Sequence, residues 1–156
     1  MKKIVIIAAL VLAFTGCQSD DGTSPVITDP VTIEFTQVAK NELYGDGEEN
    51  IEGGIQIINS DNEWQALLQK ITAVNVLPEN FGDTNINFSE FTVIAAFDDL
   101  QMSGGRYITI TSVVKTNEAL IVTADNTMEE PDGALVITQP YHIIKIPKTT
   151  LPVISQ

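Results

Sequence analysis

Ser103-Gly104-Gly105-Arg106-Tyr107-Ile108-Thr109-Ile110 and Thr138-Gln139-Pro140-Tyr141-His142-Ile143-Ile144-Lys145-Ile146-Pro147-Lys148 decide the fold of this chain. Each couples a turn signal to an alternating apolar run, the mark of a strand and of where it begins. In the first, Ile108 and Ile110 face one way and Tyr107, Thr109 and Thr111 the other. Gly104 and Gly105 permit positive φ and close backbone approach just before pairing starts. Between the two segments Ala119 to Ala124 is a further apolar run, entered by a turn at Lys115 to Glu118. Upstream, Phe91-Thr92-Val93-Ile94-Ala95-Ala96-Phe97 is almost continuously apolar with β-branched members, as a strand covered on both faces should be. The stretch from Phe91 to Lys148 is therefore expected to be an antiparallel β unit that carries the fold.

Further out the signals are more local. Thr32 to Val38 alternates and is expected to form a first strand with Ile33 and Phe35 inward, followed by an exposed polar, acidic loop over Lys40 to Gly54 and a short strand at Ile55 to Ile58. Ser60-Asp61-Asn62-Glu63 is a capping box. Trp64, Leu67, Leu68 and Ile71 after it fall on one face of a helix, which is expected to lie on the domain's own sheet with Trp64 as a core plug. Asn75 to Ser89 is irregular, with Phe81 and Phe88 as its anchors, and Asp125 to Gly133 reads as an acidic loop containing Pro131. Together these predict a mainly β (α+β) fold: an antiparallel β sandwich or roll with one amphipathic helix, built as a single domain from residues 31–156.

The N-terminus reads as an address. Lys2-Lys3 precede the apolar segment Ile4 to Phe14, which has the length of a signal peptide and is too short to span a bilayer as a helix. It ends in Phe14-Thr15-Gly16-Cys17, close to a bacterial lipobox, with Phe14 bulkier than the usual leucine. Residues 1–16 are expected to be removed, Cys17 to be lipidated (palmitate among its acyl chains), and residues 17–30, rich in Ser, Asp, Gly, Thr and Pro, to form a flexible tether. Gln18 stands where inner-membrane retention favours aspartate, so outer-membrane placement is expected. Asp20-Asp21 resemble the short acidic signal for surface exposure.

Loss of Lys2 and Lys3 makes the formal net charge of −13 two units more negative, since all 21 acidic residues follow Cys17. Such a surface repels nucleic acid and anionic headgroups and suits a soluble domain held beside a membrane. With a single cysteine, no intramolecular disulfide can form.

No residue set announces catalysis. His142, the only histidine, shares its strand face with Ile144 and Ile146 and reads as an edge-of-core residue; no nucleophile elbow accompanies it. Asp98-Asp99, Asp46-Gly47-Glu48-Glu49 and Glu129-Glu130-Pro131-Asp132 could offer oxygens to calcium, but none has EF-hand spacing and solvated loop carboxylates are expected. Neither an enzyme activity, a cofactor nor a metal site is assigned.

Val93-Ile94-Ala95-Ala96-Phe97, Ser103-Gly104-Gly105, Ile108-Thr109-Ile110, Leu120-Ile121-Val122 and Thr138 to Lys145, in this order, resemble the C-terminal domain of PrcB-type lipoproteins, accessory subunits of a surface protease complex. The resemblance covers Phe91 to Lys148, and the Trp64 helix fits the same layout. It implies a lipid-anchored, non-catalytic protein that binds or stabilises another protein, a surface protease being one such partner. Ser103, Gly104, Gly105, Arg106 and Tyr107 are the candidate partner-binding residues. In the family a tyrosine follows the Gly-Gly pair; here Arg106 stands there and the aromatic moves to Tyr107, on the opposite strand face. A second possibility, by analogy with chagasin-like cysteine protease inhibitors, is an inhibitor whose Gly-Gly loop enters a protease cleft.

Replacing Cys17 tests the address directly. In a bacterial host, the wild-type chain is expected to incorporate labelled palmitate and sediment with membranes. Cys17→Ser is expected to lose the label; label retained in Cys17→Ser would refute lipidation at this position.

Overall fold

Residues 30–128 and 136–155 are described by the structure, a computed structural model. The leader, Cys17, most of the tether and the Glu129 to Asp132 cluster lie outside them. Eight strands and one helix run in the order β1 (Val31–Thr32), β2 (Thr36–Leu43), β3 (Gly54–Ile58), α1 (Asp61–Thr72), β4 (Phe91–Phe97), β5 (Arg106–Lys115), β6 (Leu120–Met128), β7 (Gln139–Pro147) and β8 (Val153–Ser155). They form two four-stranded sheets, β2-β7-β4-β3 and β1-β5-β6-β8, with α1 on the far side of the first. The chain is thus a mainly β sandwich carrying one helix.

The β2-β7-β4-β3 sheet lies in the middle and has a core on each face. Towards the helix, Trp64, Leu67, Leu68 and Ile71 pack with Val93, Ala95, Phe97, Tyr141 and Ile143. Towards the other sheet, Ile94, Ala96, Ile144 and Ile146 meet Ile108, Ile110, Val113 and Val122. Successive residues of β4 and β7 point to opposite faces, so both strands are apolar at most positions on both. Ile94, opposite Ile144 in the β4–β7 register, is fully buried, as are Val93 and Ala95 on either side of it.

The helix forms where the capping box stands. The Glu63 amide donates to Ser60 Oγ, and Glu63 Oε2 accepts from the Ser60 and Asn59 amides at 3.1 and 2.8 Å. Those bonds, the one from Asn59 first, hold the Glu63 carboxyl below its usual pKa. Trp64 is completely buried and donates from Nε1 to the Thr84 carbonyl at 2.8 Å, tying the irregular segment down beside the Phe81 ring. Gly82 donates its amide to the Val38 carbonyl at 2.7 Å; a Cβ there would sit 2.8 Å from that oxygen, so only glycine fits without a shift.

Three expectations need correction. The first strand is two strands: β1 pairs with β5 in one sheet and β2 with β7 in the other, and Ile33 and Phe35 face the inter-sheet core from the link between them. The segment expected as an exposed loop from Lys40 begins inside β2, and Ile51 and Glu49 within it are buried. Asp125 to Met128, expected to open an acidic loop, extend β6 opposite Arg106 to Thr109. One pairing, β6 with β8, is parallel and carries no signal read from the sequence. Among the described residues no helix is long and apolar enough to cross a membrane.

Because Ile144 has close-packed neighbours on every side, Ile144→Ala is expected to cost about 2–5 kcal/mol. Ile154→Ala, at a side chain 52% exposed, should stay within about 0.5 kcal/mol. Urea titration of the two variants distinguishes them; equal midpoints would contradict a core on both faces of the middle sheet.

Candidate functional site

The strand ends place two different poles on the molecule. Leu43, Gly54, Phe97 and Gln139 end or begin the middle-sheet strands together, and Arg106 pairs with Met128 beside them in the other sheet. The helix also finishes here. This pole carries the loops 44–53, 73–77 and 98–105. At the opposite pole stand Lys115, Leu120, Pro147 and Lys148, which line a common cleft. There β1 begins, Val31 lying opposite Lys115.

Ser103, Gly104, Gly105, Arg106 and Tyr107 all belong to the first pole, in the 98–105 loop and at the start of β5. The loop is pinned at several points. Gln101 and Thr138 exchange backbone hydrogen bonds of 2.8 and 2.9 Å, the Arg106 guanidinium donates to Gln101 Oε1, and Gln101 Nε2 donates to Asp98 Oδ2 at 3.1 Å. Asp98, 9% exposed, also accepts from the Asp99 amide and from Asn126 Nδ2. Gly105 has φ +84°, a conformation that needs glycine.

Gly104 is buried, with Val136 within van der Waals reach of where a Cβ would stand; Ser103, Gly105, Arg106 and Tyr107 are half-buried. Arg106 thus braces the loop from within. The most exposed large apolar side chain of this loop is Met102, 73% exposed. Sequence reasoning passed over it, because a lone methionine beside a turn carries no pattern.

Met102 has company. Tyr44, Val74, Val76, Leu100 and Met128 are also exposed on this pole, and among the described residues the other large exposed apolar side chains, Val31 and Ile154, sit on the edge strands of the outer sheet. The loops that carry these residues touch: a Cβ at Gly45 would meet Val74, one at Gly47 would meet Leu100, and the Tyr44 amide donates to Asn75 Oδ1. Around them stand Glu42, Asp46, Glu48, Glu52 and Asp99. Of the nearby bases, Arg106 holds Gln101 and Lys70 holds the Asn50 carbonyl.

Two acids expected to be solvated are buried. Glu49, 3% exposed, accepts from the Gly45 amide and from Asn75 Nδ2, and so closes its own turn onto the chain leaving the helix; its Oε2 has no hydrogen-bond partner. Asp98 performs the same role for its loop. No group of three or more potential metal ligands gathers among the described residues.

His142 lies away from this pole, between the sheets. Its Nδ1 accepts from the Ile110 amide at 2.8 Å, next to the bulge where β5 shifts register against β6. Nε2 is buried without a partner. Lys40, opposite His142 in the β2–β7 register, donates to Thr109 Oγ1 at 2.6 Å. The lone pair that could serve as a base is committed to a backbone amide, and the ring acts as a bridge between sheets. Burial, and then the charge of Lys40, push its pKa down from 6.5 to about 4.

Comparison with protein-family models, curated proteins and solved structures finds no match for the chain.

The depressed His142 pKa sets an acid limit on stability. The folded state binds this proton only near pH 4, the unfolded state already near 6.5, so the contribution is complete above about pH 6.5 and is lost as pH falls towards 4. Its full size is on the order of 3 kcal/mol. The unfolding free energy of wild type measured from pH 7.5 to 4 should decline in that window more steeply than that of His142→Asn. Parallel profiles would rule out the bridge as the acid-sensitive element.

Proposed function

We propose that this chain is a lipid-anchored, non-catalytic accessory protein that binds or stabilises another protein at the outer membrane, on its surface or in the periplasm. The observation that carries the proposal is the position of the exposed apolar side chains: among the described residues all of the large ones but Val31 and Ile154 gather at the pole opposite the one where the chain enters the domain. A contiguous apolar patch rimmed by polar groups is a common mark of a protein interaction site. Here it combines Met, Tyr and Leu with carboxylates. Fully extended, the chain between Cys17 and Pro30 reaches at most about 45 Å. A lipid on Cys17 would therefore keep the domain within about that distance of the bilayer, attached through the lysine-bearing pole and leaving Met102 and its neighbours free to meet a partner.

The PrcB-type resemblance of Phe91 to Lys148 points to the same class of role, with a surface protease as one partner. Inhibition through an inserted Gly-Gly loop has less support, because Gly104 is buried and the loop is held against Thr138.

A photo-crosslinking residue at Met102 and another at exposed Thr150, each in the full chain in living cells, separate the two poles. A discrete protein adduct is expected from position 102 and none from 150. Equal adducts from both, or none from 102, would overturn the proposal.

A further inference from the structure

Resting on the reading that this chain binds a protein, and adding a contact to it, we infer that the free edge of β3 pairs with an extended strand of the bound protein. The register of the middle sheet fixes which backbone groups are free. Lys148 donates its amide to the Glu90 carbonyl and Asp98 its amide to the Pro140 carbonyl, so β4 turns its even-numbered residues to β7. Val93, Ala95 and Phe97 therefore bond to Ile58, Gln56 and Gly54 of β3. The N–H and C=O groups of Ile55 and Ile57 point the other way, off the edge of the sheet, and among the described residues nothing pairs with them.

Open edges are normally blunted by charge, proline, a bulge or a covering segment. The opposite edge of this sheet, β2, has three of these: a bulge between Gln37 and Ala39, the charges of Lys40 and Glu42, and the Gly82 amide on the Val38 carbonyl. Among the described residues β3 has none of them. Its sequence, Gly54-Ile55-Gln56-Ile57-Ile58, carries no charge and no proline, and its register against β4 is unbroken.

Beside this edge, on the helix side, lies a cleft of about 270 Å³. Gln56 and Ile58 form one wall; Glu63, Ala66, Leu67 and Lys70, which share one flank of α1, form the other. Glu63 is drawn to one end by the Asn59 and Ser60 amides and Lys70 to the other by the Asn50 carbonyl, which leaves Ala66 and Leu67 between them. Ala66 is exposed and small, so the helix leaves room there. A strand added about 4.8 Å beyond β3 directs alternate side chains towards the helix, and one aliphatic side chain enters this cleft. A helix could not answer the groups of Ile55 and Ile57, because its own backbone is already bonded. A second copy of this chain is disfavoured by repulsion, each carrying a formal net charge of −13. The same charge favours a strand with bases at its ends. β3 starts where the 44–53 loop ends, so an added strand adjoins the exposed apolar pole.

The test uses the full lipidated chain in detergent micelles, with backbone amide exchange followed by NMR. In the free chain the Ile55 and Ile57 amides are expected to exchange fast and those of Gln56 and Ile58 slowly. The probe is a short acetylated and amidated peptide that alternates valine with threonine between terminal lysines. It should slow exchange at Ile55 and Ile57 saturably, whereas the same peptide with its amides N-methylated, equal in charge but without donors, should not. Ala66→Arg, a good helix former at an exposed position, fills the cleft and should weaken the probe about tenfold while the thermal midpoint stays in place. No slowing by the probe, equal slowing by the methylated peptide, or unchanged affinity in Ala66→Arg would each overturn the strand pairing. So would protection of Ile55 and Ile57 already present in the free chain; if it fades on dilution, the edge belongs to a second copy. If the pairing fails while position 102 still crosslinks to a protein, the docking pole stands without it. Pairing without that crosslink leaves the edge as the contact and strikes the pole, and failure of both removes the protein-binding reading.

Discussion

Burial of the β4–β7 pair on both faces is the constraint from which the rest of the structure follows. A strand with one solvated face can alternate polar with apolar residues; these two cannot, because α1 covers one face and the second sheet the other. Any polar side chain in the pair must therefore find a partner inside the protein. His142 does so by accepting the amide that the β5 bulge leaves over, and Gln139 by donating to the Ile51 and Asp98 carbonyls at 2.9 and 3.0 Å. The same two residues mark the ends of the problem. Gln139 fastens the 44–53 and 98–105 loops to the middle sheet, while His142 fastens the sheets to each other.

That constraint also explains why the poles are free to differ. With cohesion concentrated in the two cores, the loops of the 98–105 pole are held by local hydrogen bonds and by a small share of the interior, Ile51 and Leu77. Glu49 and Asp98 turn inward to satisfy backbone and side-chain donors of their own loops. Their burial stiffens the frame on which Met102, Leu100 and Tyr44 are displayed. Under the proposed binding role, a rigid display lowers the ordering cost of association.

How much of this could be read from residues alone depended on the range of the interaction that fixed each element. The capping box and the Trp64 stripe are decided within a few residues, and both appear as read. The Phe91 to Phe97 run is apolar for a tertiary reason, but that reason writes itself into every position, so the doubly covered strand was legible. The split of Thr32 to Val38 was not. Ile33 and Phe35 alternate as a strand would, and it is the crossing from one sheet to the other that interrupts them. β8 pairs parallel to β6 at the very end of the chain, with nothing local to announce it. At the candidate site, Ser103 to Tyr107 were found as a turn, whereas Met102 was missed. Apart from Met128, the exposed apolar residues of that pole come from the loops 44–53, 73–77 and 98–105, a set that no spacing rule joins.

The two-residue strand β1 has a mechanical meaning. It is the first part of the domain to feel tension arriving along the chain from Pro30, and it is held to β5 through Val31 and Thr32, with one further bond from the Ile33 amide to the Val113 carbonyl at 2.8 Å. The next segment, β2, is paired with β7 over most of its length and belongs to the other sheet. A pull strong enough to peel β1 releases its two residues and then meets Ile33 and Phe35, which pack on the inter-sheet core. Tension arriving from Pro30 is thus taken first by a short edge strand, as by a sacrificial first stitch, at the pole away from the 98–105 loop.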